Sequence, residues 1–127
     1  MSHLSPSAPP VLERYYEILT GGADAYGRGE ELRSLLSERL EFSGALAGRH
    51  TDATDGFLHG VAGFIGAVQS IDVVDEVHDG DSSAVLYDAV LPGGTVRFAE
   101  FFTFDDGRID RLFLHYDGPD YLAKGGR

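Results

Sequence analysis

The chain has 127 residues, 43% of them hydrophobic, with a formal net charge of -11 and no cysteine. That length fits one domain, the charge opposes binding to nucleic acid or anionic lipid, and the missing cysteines exclude a disulfide framework, thiolate catalysis and Cys-ligated zinc. No apolar run approaches the roughly 20 residues of a membrane-spanning helix. The start, MSHLSPSAPP, lacks the charged beginning and apolar core of a signal peptide, so a cytoplasmic protein with no membrane partner is expected.

Residues 1–8, rich in Ser, Pro and Ala, are expected to be disordered. Residues 9–117 make the domain, and 118–127 a tail. Pro9 or Pro10 suits a first helical turn. Val11, Leu12, Tyr15, Ile18 and Leu19 then recur at helical spacing until Gly21-Gly22. A glycine-containing loop leads to a second helix over residues 30–39, with Leu32, Leu35, Leu36 and Leu40 marking its buried side. Residues 41–51 read as an extended, glycine-broken segment.

A third helix is expected over residues 55–69, its apolar face formed by Phe57, Leu58, Val61, Phe64, Ile65 and Val68. It also carries Gly56, Gly60, Gly63 and Gly66, each costing about 1 kcal/mol relative to alanine in a helix interior. Close approach of the helix to a sheet would explain the stripe; so would a flexible wall beside a pocket. A strand, Ile71 to His78, and the turn Asp79-Gly80-Asp81 follow.

Residues 82–117 contain three β-branched and aromatic runs separated by Pro92-Gly93-Gly94 and Asp105-Asp106-Gly107. Such breakers supply the backbone angles of tight turns, which predicts an antiparallel three-stranded meander. Helices first and a mostly antiparallel sheet second give an α+β fold with helices on one sheet face. In the middle run Val96, Phe98, Glu100, Phe102 and Phe104 share one face. Glu100 is thus one carboxylate in an apolar row, and the first place to look for chemistry.

Asp88 alternates with Ala84, Leu86 and Val90, a mostly apolar set that favours an inward position. Paired with Glu100 in an apolar pocket, it would leave one carboxyl protonated and one ionised, as acid–base catalysis requires. The competing reading has Asp88 on the outer side and Glu100 merely paired with a tyrosine or arginine. Tyr15 and Tyr16 diverge by about 100° around their helix, so at most one is expected to face the pocket. Tyr15, aligned with Val11 and Ile18, is the better candidate, as a catalytic donor or as a core tyrosine with a satisfied hydroxyl.

His50, Asp52, Asp55 and His59 crowd the stretch HTDATDGFLH. Asp55 and His59 have a spacing that could hold a metal, but no HxH or HExxH repeat is present. A capped helix start is the alternative, and no metal is expected. His50 could instead reach the pocket mouth and serve as a base. No GxGxxG or phosphate-binding loop follows a strand, and no cofactor is expected.

The stretches RYYEILTGG, LEFSG and FTFDDGRIDRLFLHYD resemble the nuclear transport factor 2-like superfamily, which includes ketosteroid isomerases, SnoaL-like polyketide cyclases and limonene-epoxide hydrolase. The resemblance spans about Val11 to Asp117 and implies a cone in which a curved sheet wraps the helices around a deep apolar pocket. It implies that Tyr15 is similar to the oxyanion-donating tyrosine of ketosteroid isomerase. Glu100 falls in register with that enzyme's protonated acid, an Asp in the family. The chain departs from the pattern at Ser43, near the place of the general base. It departs from limonene-epoxide hydrolase too: Asp88 could take one carboxylate position, but Leu86 and Leu114 stand for the arginine and second aspartate.

The sequence therefore predicts a cofactor-independent isomerase or cyclase acting on a hydrophobic small molecule. Phe98, Phe102, Phe64, Leu86, Leu114 and Tyr116 are its expected ligand-binding residues. A non-catalytic binding or dimerisation domain is the alternative. The outer face of the meander would show Arg97 and Phe101 beside Ile109, Arg111, Phe113 and His115. An apolar strip rimmed by charge marks an interface, and the resemblance implies the same, so a homodimer through this face is expected. The competing possibility is that the tail GPDYLAKGGR covers the strip within one chain.

Overall fold

The architecture grows from a single long strand whose alternation is strict. The computed structural model describes residues 4–127, and its central strand, β5 (Gly94–Asp105), buries Val96, Phe98, Glu100, Phe102 and Phe104 while exposing Arg97 and Phe101. Before it come α1 (Pro10–Leu19), α2 (Ala23–Tyr26), α3 (Glu30–Leu35), β1 (Leu36–Gly44), β2 (Gly48–His50), α4 (Thr54–Ala67), β3 (Ser70–Asp79) and β4 (Ser82–Leu91). After it come β6 (Arg108–His115) and α5 (Gly118–Ala123). Among the described residues the strands form one curved six-stranded sheet, ordered β2-β1-β6-β5-β4-β3. Only the β1–β6 pair is parallel. This is the expected α+β cone. Fully buried side chains such as Leu12, Leu19, Ile71 and Phe98 form its core, each contributing roughly 1.5–3 kcal/mol of burial free energy.

Several local expectations need correction. The second helix stops at Leu35, and Leu36 begins a strand with extended backbone angles. Leu36 and Leu40 do enter the core, but from β1, whose pairing with β6 slips between Leu36 and Glu41. A four-residue spacing fits helix and strand alike, and pairing of Leu36 with Ile109 on β6 decides for the strand. Of the leading segment, residues 1–3 lie outside the described residues. Leu4 is buried, and the Ser5 N–H donates to Glu76 (2.8 Å).

Two β-bulges also shift faces, since an extra residue reverses the alternation beyond it. In β3 the register slips between Val73 and Asp75. Val77 therefore turns out to 62% exposure, while the His78 ring bridges Glu76 Oε1 (2.7 Å) and Ser83 Oγ (2.8 Å). In β6 the slip lies opposite Thr103 and Phe104. Ile109 is consequently fully buried and leaves the expected outer strip, while Arg111, Phe113 and His115 stay together.

The glycine stripe of α4 does not approach a sheet. A Cβ on Gly56, Gly60 or Gly66 would meet nothing within 4 Å, whereas one on Gly63 would lie 2.7 Å from the Arg127 carbonyl oxygen. Among the described residues no side chain caps this helix; the Thr54 hydroxyl donates instead to the Ser37 carbonyl (2.9 Å). The tail does not cover the outer strip either. Its helix α5, capped by Asp117 accepting from the Asp120 N–H (2.9 Å), buries Tyr121 against Phe64, Phe98 and Tyr116 on the inner side.

Candidate functional site

Glu100 sits at the middle of β5, with Val85 of β4 and Leu114 of β6 directly across from it. Helix α1 crosses above and delivers two adjacent tyrosines to one carboxyl. The Tyr15 hydroxyl donates to Oε2 (2.6 Å) and the Tyr16 hydroxyl to Oε1 (2.7 Å). Of the two, Tyr15 lines the cavity and Tyr16 does not, as expected, yet both hydroxyls reach the carboxyl. Divergent at the helix, the two rings converge at their tips, edge to face with centroids 5.1 Å apart. Tyr87 of β4 brings a third hydroxyl to bear on the same group.

Burial decides the protonation of this cluster. Glu100 is 1% exposed, and desolvation pushes its pKa up to about 7 against the opposing pull of the Tyr15, Tyr16 and Tyr87 hydroxyls. All three phenols are pushed well above their ordinary value, first by burial and then by the charge of Glu100. The tyrosines thus remain donors, and Glu100 exchanges its proton near neutrality.

A cavity of about 610 Å³ opens beside this carboxyl, a size that holds a small organic molecule. Of the residues expected from sequence, Glu100, Tyr15, Phe98, Phe64, Leu114 and Tyr116 line it. His50 also does, but from the exposed rim, where its Nε2 contacts the Ala47 carbonyl oxygen (2.6 Å). Phe102 is buried one layer below, its ring edge to face with Tyr15 at 5.5 Å.

Asp88 and Leu86 lie on the opposite side of the sheet. Asp88 faces Arg97 across the β4–β5 ladder and accepts two hydrogen bonds from it (2.8 and 3.0 Å). That arginine holds the Asp88 carboxyl below its usual range. Both faces of β4 are apolar enough to mislead, but the turn at Pro92-Gly93 sets the register, and residues directly opposite share a face. Register from that turn puts Val85 opposite Glu100 and Asp88 opposite Arg97. The same count identifies Tyr87, which sequence reading missed. Tyr121, Phe42 and Phe57 also line the cavity unforeseen. Tyr121 belongs to a tail that carried no periodic signal.

The expected Glu100–Asp88 pair is therefore not assembled. Ser43 brings no base either, since Phe42, its neighbour on the alternate face, lines the cavity. Asp55 pairs with Arg33 (2.6 Å), and among the described residues no group of three or more His, Asp or Glu side chains is arranged to hold a metal. The site offers one deeply buried proton-exchanging carboxyl, three phenols that act on it, and apolar walls.

No protein-family model matches the sequence, and a search of curated proteins found no match. Solved structures do resemble it. A protein from Kribbella flavida superposes with a TM-score of 0.77 at 23% identity, covering 94% of each chain. An NTF2-like protein of unknown function from Cytophaga hutchinsonii gives 0.65 at 13% identity, covering 93% of this chain and 99% of that one. A protein from Catenulispora acidiphila with a ketosteroid isomerase-like fold, in complex with trimethylamine, gives 0.66 at 14% identity over 94% of each.

Proposed function

We propose that this chain, which has the nuclear transport factor 2-like fold, binds an apolar small molecule and exchanges a proton with it at Glu100 in cofactor-independent acid–base chemistry. The observation that carries this reading is the placement of Glu100, buried at the cavity wall with a pKa near neutrality. A group half-protonated at working pH combines availability with proton-transfer driving force. Isomerisation or cyclisation by proton relocation is the reaction class it suits. The fold alone assigns no reaction.

Binding without turnover is the second reading, favoured by where the other titratable groups of the lining sit: His50, Asp52 and Arg127 among them belong to segments outside the Glu100 cluster. One experiment separates the two. Apolar ketones, phenols and amines are screened for thermal stabilisation; amines are included because of the Catenulispora complex. Each binder is then incubated with protein in deuterated water. Deuterium uptake at a carbon-bound acidic position, lost in Glu100→Gln, supports catalysis. Binding without uptake supports the carrier reading, and no binder at all refutes both.

We also propose a two-fold homodimer through the outer sheet face. Phe101 is 48% exposed there, beside Val77, Phe113, Arg111 and His115 along a groove of about 440 Å³. The same face carries carboxylates (Asp88, Glu41) and arginines (Arg97, Arg49, Arg111) paired within the chain, so its charges are balanced locally and do not repel a second copy.

A further inference from the structure

We propose that the cavity selects an organic cation, a protonated or quaternary amine on an apolar body, with its positive charge seated against the Glu100 carboxylate. This rests on reading the cavity as a small-molecule site and adds the charge of its occupant. Tyr15 and Tyr16 direct their protons onto Glu100, one to each oxygen. A phenol has a single proton to donate. Tyr15, the one of this pair on the lining, thus turns an oxygen lone pair and a ring toward any ligand rather than a donor. With Glu100 ionised, the whole cluster is an acceptor surface.

Among the described residues, the groups facing Glu100 bring it no counter-charge. From α1 the groups facing Glu100 are Tyr15 and Tyr16; from β4, Tyr87 and Val85; from β6, Leu114; along β5, Phe98 and Phe102. None is a cation. The charged groups on the cavity lining are Asp52 and Arg127, with the titratable His50, while burial and the three tyrosine hydroxyls set the Glu100 shift. A buried carboxylate without a cation is costly, and a ligand that brings one removes the cost.

The walls suit the same occupant. Phe98 meets Phe64 at 80° and Tyr121 at 86°, and Tyr116 meets Tyr121 at 70°. Rings set at right angles make a corner, and aromatic faces attract cations. At a distance, the net charge of -11 draws cations toward the protein.

The pair phenyltrimethylammonium and tert-butylbenzene tests this directly, because they share shape and differ in charge. Binding is measured by ligand-observed NMR between pH 5 and pH 9. The cation is expected to bind at least ~10-fold tighter than the hydrocarbon at pH 8. Its affinity should climb by roughly tenfold per pH unit up to about 7 and then level off, as binding to the ionised carboxyl alone requires. Hydrocarbon binding should not change with pH. Glu100→Gln should bring the two ligands to similar affinity and flatten the profile, and the wild-type pH profile stands as evidence even if that variant folds poorly. Equal affinity for the two at pH 8, or a cation affinity that falls as pH rises, overturns the proposal. Hydrocarbon binding alone overturns it while leaving the small-molecule reading intact; failure of both ligands to bind overturns the two together.

Discussion

Replacing Glu100 by glutamine should change how stability depends on pH, with a sign that follows from burial. In the unfolded chain the carboxyl titrates near 4.5; in the folded protein it titrates near 7. Between those values the folded state holds a proton that the unfolded state has released. Stability contributed by this group is therefore fully present below about pH 4.5 and is lost as pH rises through 7. A shift of this size corresponds to about 3 kcal/mol at 1.36 kcal/mol per unit, a large share of a domain's typical 5–15 kcal/mol. Glutamine keeps the shape and cannot ionise. Urea unfolding of both proteins from pH 4.5 to pH 8.5 gives the comparison. Wild type should lose about 3 kcal/mol relative to Glu100→Gln across that range, whatever the absolute offset between them. Parallel stability curves, or a difference that grows the other way, would refute the reasoning.

Other substitutions act on the neighbours of Glu100, on α4 and on the outer sheet face. Tyr16→Phe removes a donor that lowers the Glu100 pKa, so that pKa should rise further and stability at pH 8 should fall by about 1–3 kcal/mol, read by carboxyl NMR and urea melts. Gly60→Ala, with open space at the new methyl, should stabilise by up to about 1 kcal/mol, whereas Gly63→Ala must displace the Arg127 carbonyl and should destabilise; equal thermal shifts would contradict the geometry. Phe101→Glu places a charge in the proposed interface and should convert a dimer to a 13.7 kDa monomer by sedimentation without altering ligand affinity; a wild type that is already monomeric sinks the interface.

The fold was legible wherever side-chain period and turn chemistry agreed. The β5 alternation placed Glu100 among inward residues, and Asp106-Gly107, both at positive φ, announced the β5–β6 turn. Legibility failed where a single residue changes the count. The bulge in β6 leaves no composition signal, so Ile109 was assigned to the wrong face. Leu36 and Leu40 fit two periods at once, and only a distant partner strand selects between them. Asp88 shows another limit: alternation within one strand could not tell in from out, though register counted from the neighbouring turn could. The tyrosine cluster depended on tertiary placement of α1 over β5, which no local pattern in RYYEIL encodes.

Carboxyl-detected NMR titration of Glu100 in the full chain, assigned with Glu100→Gln, tests the central claim most directly. An inflection is expected at about 7, moving down when an organic cation occupies the cavity. An inflection near 4.5, unmoved by any ligand, would contradict both the buried proton-exchanging carboxyl and the function built on it.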